Sequence, residues 1–401
     1  MPGPEPSYHS ASAIRTIIGM TKNLTVAGAV SIAVVFTLLA ALGKAAENSS
    51  ETAKILSPAE LLAVAGDGDF TRAKLPYPFR FPEDYGSHRE YRTETWHLTG
   101  ILQAQGQPQL GLQLAIIRIA LGSQPRRVDS IDWSSGELYA ALFSLSDPAD
   151  DKLHTAQRLS RGGIGLAGWR ARPMQLWVED WQVKRSGDEP EASIELRLSA
   201  DDLKLELRLR QRKPPIDHDR IRDGNNGPAP PFIYYVEPRL EASGSLSDDA
   251  GTVELAGSVS IEHAWGELPL PGGPVVQDRF TLYLADGREL FLVRSHRSDG
   301  SGEPTMAGLL VRADDTPVLL DGADIDLRAS GFWTSERTGA RYPLRWTLSV
   351  PGQVIELEVV AERERQEGSL WAPFWSGPVR LVQASGPSAG DGFMQLNGYL
   401  E

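Results

Sequence analysis

From Tyr91 to the C-terminus the sequence alternates with a period of two, and this constrains the fold more than any other feature. The clearest case is Ile194-Glu195-Leu196-Arg197-Leu198, a turn at Ala200-Asp201-Asp202, then Leu203-Lys204-Leu205-Glu206-Leu207-Arg208-Leu209. It spells a hairpin with one leucine face and one charged face. The same texture recurs at Leu138–Leu145, Val253–Ile261, Phe280–Leu284, Leu290–Arg294, Leu344–Val350 and Ile355–Val360. Turn signals such as Asp286-Gly287, Ser298-Asp299-Gly300 and Pro351-Gly352 separate the runs. Beyond residue 66 no stretch carries a helical period, so the class is all-β with antiparallel strands. Roughly 300 residues of such strands exceed one small barrel and call for two β domains.

The N-terminal part differs. Leu24–Gly43 is an uncharged apolar run, preceded by Arg15 and Lys22, and its length suits a helix crossing a bilayer. The positive end comes first, which predicts a cytoplasmic N-terminus and an exported remainder. The small residues Ala40, Ala41, Ala45 and Ala46 leave a cleaved signal peptide open beside an uncleaved anchor. Ser57-Pro58-Ala59-Glu60 is a capping box that predicts one short helix, stopped at Gly66-Asp67-Gly68. Pro76-Tyr77-Pro78-Phe79-Arg80-Phe81-Pro82 must be extended, with aromatic rings that need a surface to lie on. The expected organisation is a tail with signal anchor or signal peptide over 1–46, a linker with a short helix over 47–75, a first β domain over 76–268 and a second over 269–401. Residues 213–231, rich in Pro, Gly, Asn and Asp, form a long loop inside the first domain.

Composition removes whole classes of function. The net charge is -13, with no basic run, which argues against a nucleic-acid partner. There is no cysteine, so disulfides, thiolate metal sites and cysteine nucleophiles are excluded. Gly163–Gly168 fits G-x-G-x-x-G, but Trp169 and Pro173 follow it, and a turn between strands is the better reading. The seven histidines are scattered singly. No metal site can be read from the sequence; one assembled in space stays open.

Two polar clusters invite a function. Thr93-Glu94-Thr95-Trp96-His97-Leu98-Thr99-Gly100, read as a strand, puts Glu94, Trp96 and Leu98 on one face and Thr95, His97 and Thr99 on the other. A carboxylate beside a Trp and a Leu on one face is unusual, because that face should be the buried one. Glu262-His263-Ala264-Trp265-Gly266 repeats the same ingredients. An acid in an apolar cavity has a raised pKa and can donate a proton near neutrality. The alternative is that Glu94 and Glu262 are satisfied by Arg or Trp N–H partners, with Trp96 and Trp265 packed in a core.

These clusters carry a resemblance to the AttH/CrtC family, lipocalin-like exported proteins related to carotenoid 1,2-hydratase. It covers roughly residues 70–401. Phe81-Pro82-Glu83-Asp84-Tyr85-Gly86-Ser87-His88 resembles the family's F-P-x-D-x-G-x-H, and Glu94–Gly100 its E-W-W-Y-x-T-G. Glu262–Gly266 stands where members carry D-[RH]-[EN]-W-G. Gly331–Ser335, Tyr342–Trp346, Phe374–Gly377 and Leu396–Tyr399 match later motifs in the right order. The resemblance implies two packed lipocalin-like barrels and no cofactor. In the hydratase branch it implies water addition to a terminal C=C of an acyclic carotenoid, with Glu262 as acid and His263 in support.

This chain departs from the pattern by losing aromatics and moving a carboxylate. Thr95, His97 and Ser260 replace aromatic residues, Glu262 replaces Asp, and Gln277-Asp278-Arg279-Phe280 replaces W-D-W-F. An acid misplaced by about 1 Å can cost on the order of 100-fold in rate. The first expectation is therefore an envelope protein, anchored through residues 24–43 or secreted to the periplasm, that holds a lipid or isoprenoid. Glu94, Trp96, His97, Trp265 and Asp278 would line the ligand, and an export-type ABC transporter would be its partner. The hydro-lyase, with Glu262 and His263 catalytic, is the second expectation.

Overall fold

The computed structural model describes residues 70–121, 136–148, 152–163, 165–187, 192–217, 232–266, 275–370, 373–383 and 388–399. The apolar run 24–43, the short helix after Ser57, most of the 213–231 loop and the break at 268–274 lie outside the described residues. Among the described residues no helix is long and apolar enough to cross a membrane.

The fold is all-β, as the alternation dictates. One sheet contains β1 (Thr93–Ala104), β2 (Gln109–Ala120), β3 (Glu137–Asp147), β4 (Lys152–Arg161), β5 (Ala167–Ala171), β6 (Met174–Val178), β7 (Trp181–Ser186), β8 (Ser193–Ala200), β9 (Leu203–Gln211), β10 (Ile216–Asp217), β11 (Phe232–Asp248) and β12 (Gly251–Gly266). The other contains β13 (Val275–Leu284), β14 (Glu289–Arg297), β15 (Thr305–Val311), β16 (Pro317–Asp321), β17 (Asp326–Thr334), β18 (Arg341–Val350), β19 (Ile355–Ala361), β20 (Glu367–Ser369), β21 (Pro373–Val382) and β22 (Ser388–Asn397).

Both sheets follow one plan. The spatial order is β4-β3-β2-β1-β12-β11-β9-β8-β7-β6-β5 in the first and β16-β15-β14-β13-β22-β21-β19-β18-β17 in the second. In each, the first strand pairs with the last, and the ring is open only between the fourth strand and the fifth. Each sheet therefore curls into a nearly closed barrel, which leaves few free edges. In the first barrel side chains bridge the opening. Arg158 on β4 pairs with Asp180 at 2.9 Å, and its guanidinium lies 4.7 Å from the centre of the Trp181 ring. In the second barrel a short 3-10 turn, Gly322–Asp324, joins β16 to β17.

Among the described residues, apolar side chains pack both interiors. Trp96, Leu98, Leu112, Leu114, Phe143, Trp181, Leu196 and Leu205 belong to the core of the first barrel. Phe280, Trp346, Trp375, Leu348 and Met394 belong to that of the second. The barrels pack with β1, β2 and β3 facing β13, β21 and β22, as the Thr99–Thr281 and Ser144–Ser376 hydroxyl contacts at 3.2 and 3.3 Å show. That packing is why β1 is buried on both faces. The Pro-rich lead-in does find its surface: Tyr77, Phe79, Phe81 and Tyr85 cover the end of the first barrel against Tyr235 and Trp265.

Candidate functional site

β1 and β12 pair antiparallel, with Trp96 opposite His263 and His97 opposite Glu262. Alternation therefore sends Glu94, Trp96, His263 and Trp265 into the first barrel, and His97 and Glu262 into the seam between barrels. The adjacent residues Glu262 and His263, expected to act together, face opposite sides of the sheet. Asp278 lies inside the second barrel, where Arg294 pairs with it at 2.8 Å and the Tyr399 hydroxyl donates to it at 2.5 Å. The expected site residues thus fall in three places.

The inner group is centred on Glu94, which is fully buried. Its Oε2 accepts from Arg118 Nε at 3.0 Å and from the Ser87 hydroxyl at 2.5 Å. Its Oε1 accepts from His88 Nδ1 and from His263 Nε2, both at 2.9 Å. The His88 backbone N–H donates to both oxygens. Burial opposes the Glu94 charge, but the hydrogen bonds from His263 and His88 and the Arg118 guanidinium outweigh it and hold the carboxyl well below its usual range.

The two imidazoles differ in charge. Burial opposes protonation of His88, but hydrogen bonds to Asp84 and Glu94 outweigh it and raise its pKa to about 9. Burial takes His263 down to about 4. At neutrality His88 is a cation, donating from Nδ1 to Glu94 and from Nε2 to Asp84 at 3.1 Å. His263 is neutral, donating from Nε2 and accepting at Nδ1 from the Tyr235 hydroxyl at 3.2 Å. Trp265 stacks on His88 with ring centres 3.7 Å apart, favourable for a cation over an indole. Trp96 stacks on His263 at 4.7 Å. The group also pins the lead-in, since Arg118 Nη2 donates to the His88 and Tyr91 carbonyls, each at 2.9 Å.

The seam group is centred on Glu262. Arg279 of β13 pairs with it directly, and the Tyr234 hydroxyl donates to it at 3.3 Å. Burial pushes Glu262 up, but Arg279 outweighs burial and leaves it below the ordinary carboxylate value. His97 Nδ1 stands 3.7 Å from Glu262, an ion-pair separation too long for a hydrogen bond. Burial, reinforced by Arg279, lowers the His97 pKa, so this imidazole is neutral. At the edge of the seam an open crevice of about 680 Å³ is lined by β1, the β1–β2 turn and β12 of the first barrel, including Ile101, Leu102, Leu255 and Ala256, and by Asp391 of the second.

Glu94 and Glu262 therefore both have arginine partners, Arg118 on the neighbouring strand β2 and Arg279 across the seam on β13. Neither Arg118 nor Arg279 is among the expected site residues. Arg118 leaves a trace in the sequence: it is a lone charge in the apolar run of β2, in phase with the inward Leu112, Leu114 and Ile116.

Paired, curled antiparallel sheets with apolar cores, one end of the first covered by an aromatic lead-in, define a double lipocalin-like protein. The profile of the AttH-like family matches residues 72–399, and the chain belongs to that family. Among solved structures it is similar to a protein from Nitrosomonas europaea assigned as AttH, at 25% identity and a TM-score of 0.69, covering 82% of this chain and 100% of that one. It is also similar to kievitone hydratase from Nectria haematococca, at 12% identity and a TM-score of 0.56, covering 82% of this chain and 96% of that one. This second likeness is one of fold alone. No curated protein matches the chain.

Proposed function

We propose that the chain is an envelope protein of the AttH-like family that binds an apolar ligand, a lipid or isoprenoid, between its two barrels. The observation that supports this reading is an open crevice beside the seam. Among the described residues, apolar side chains pack both barrel interiors. The crevice beside Ile101, Leu102 and Leu255 has a volume of about 680 Å³, within the usual range for small-molecule sites. Gln103, Gln109, Ser258 and Asp391 also line it and would orient a polar head group. The uncharged run 24–43 would hold this crevice close to a bilayer. An export-type ABC transporter fits the same reading as the partner that supplies or takes the ligand.

The hydro-lyase reading asks Glu262 to protonate an alkene. Arg279 holds that acid ionised at neutral pH, so it is a poor proton donor. Kievitone hydratase carries a hydratase activity on the same fold, yet fold alone does not transfer chemistry.

The test is to purify the full chain in mild detergent, identify co-purifying lipids by native mass spectrometry, and incubate it with lycopene or neurosporene. A bound lipid or carotenoid with no hydroxylated product is the expected result. A hydroxylated carotenoid would replace this reading with the hydro-lyase.

A further inference from the structure

We propose that His88, Glu94 and His263 form a binding site for one zinc-type divalent transition metal. The three residues come from the lead-in, β1 and β12, so no local motif announces them. Their candidate ligand atoms, His88 Nδ1, Glu94 Oε1 and His263 Nε2, all lie within 4.8 Å of one another. Two imidazole nitrogens and one carboxylate oxygen suit zinc, which accepts three protein ligands and leaves a fourth position for water.

Three features go beyond the proximity of the ligands. First, the two oxygens of Glu94 have separate tasks. Arg118 and Ser87 anchor Oε2, while Oε1 stands between the imidazoles, 2.9 Å from each nitrogen. Second, each imidazole is oriented through its far nitrogen, the arrangement that outer partners impose on metal-bound histidines. His88 Nε2 meets Asp84 at 3.1 Å, and His263 Nδ1 meets the Tyr235 hydroxyl at 3.2 Å. Asp84 is itself fixed by the Arg80 backbone N–H and by the Tyr77 hydroxyl. Third, Trp265 and Trp96 wall the two rings by stacking, which restricts them to this geometry.

Metal binding would need only local proton moves. The proton on His88 Nδ1 is released to bulk water as the metal binds, and Nε2 keeps its hydrogen bond to Asp84. The proton on His263 shifts from Nε2 to Nδ1, where the Tyr235 oxygen can accept it. The metal then takes the place of the two imidazole hydrogen bonds to Oε1, while the His88 backbone N–H keeps its own. It would tie the lead-in to the barrel through coordination bonds.

The test uses the full chain, stripped with EDTA and then offered Zn²⁺ or Co²⁺. Expected results are about one equivalent of metal retained after dialysis, a cobalt visible spectrum typical of four- or five-coordinate nitrogen and oxygen ligation, and a thermal midpoint that rises with Zn²⁺. Asp84→Asn should weaken affinity about 10–100-fold, and His263→Gln should weaken it further. His296→Gln, on β14 in the second barrel, should change nothing. If His263→Gln fails to fold, the cobalt spectrum and the Asp84→Asn affinity decide. Failure of the wild-type chain to retain zinc or shift its midpoint would overturn the proposal. So would equal affinity in the wild type and the Asp84→Asn variant. These readouts are independent of what occupies the crevice.

Discussion

The Glu94–Arg118 pair permits a quantitative test of how the first barrel is closed. Both side chains are fully buried, and Nε stands 3.0 Å from Oε2. Replacing Glu94 by Leu leaves the Arg118 charge in the barrel without its closest partner. Breaking a buried pair in this way costs about 3–5 kcal/mol. In a fold of this size each kcal/mol moves the midpoint by about 2–4 °C, so the single variant should lose roughly 6–20 °C. Arg118→Leu should lose a comparable amount, because it strips Glu94 of its main counter-charge and frees the His88 and Tyr91 carbonyls. The double variant Glu94→Leu/Arg118→Leu removes both charges, and exchanging a whole buried pair for apolar groups is often close to neutral. It should therefore be more stable than the sum of the single losses predicts, by about 2–3 kcal/mol. Urea unfolding followed by tryptophan fluorescence, with calorimetry in parallel, measures all corners of the cycle. Losses that add to within about 0.5 kcal/mol would refute the coupling, and with it the reading of Glu94 as an anion held by Arg118.

Three further outcomes follow from the geometry. Acid should weaken the seam in two steps. The fold lowers His97 below its ordinary 6.5, so the neutral imidazole contributes stability above that value which is lost as pH falls through it. Glu262 is also lowered, so its contribution is present above 4.5 and lost as pH falls below that value. Thermal midpoints between pH 8 and pH 3 should fall in both windows, and His97→Gln should shrink the upper step without abolishing it, because burial also lowers His263, to about 4. Gly257→Ala should destabilise the first barrel by about 1–3 kcal/mol or more, because the new methyl would collide with the Ile101 carbonyl of β1; an unchanged urea midpoint would contradict this pairing. Tyr235→Phe removes only the hydroxyl that orients His263, and should lower metal affinity about 10-fold by the Co²⁺ titration while leaving the far-UV spectrum unchanged.

Much of this architecture was legible in the residues. The leucine hairpin of β8 and β9 pairs in the register its alternation suggests, with Leu196 opposite Leu207 and Leu198 opposite Leu205. Alternation also separates Glu94 and Trp96 from His97 correctly, because side-chain parity is a local property of a strand. Assembly in space was less legible. Arg118 reaches Glu94 because β1 and β2 are paired, with the two residues directly opposite. His88 and His263 lie 175 positions apart in the chain, and only the closing pair β1–β12 brings them to one carboxylate. The same parity explains why Glu262 and His263, neighbours in one motif, cannot share a site. A motif read as a string ignores that successive strand residues face opposite ways. The buried outer face of β1 was likewise unpredictable from period alone, since it depends on how the second barrel docks.

The claim that the ligand lies between the barrels is tested most directly by filling the crevice. Ala256 is an exposed residue of β12 in its lining, so a large side chain fits there without entering a barrel core. The measurement is the amount of lipid or carotenoid that native mass spectrometry finds on the purified full chain, wild type against Ala256→Trp. The account predicts that Ala256→Trp folds with an unchanged thermal midpoint and loses at least about 10-fold in bound ligand, roughly 1.4 kcal/mol of affinity. Equal ligand on both proteins would place the binding site elsewhere and contradict the account.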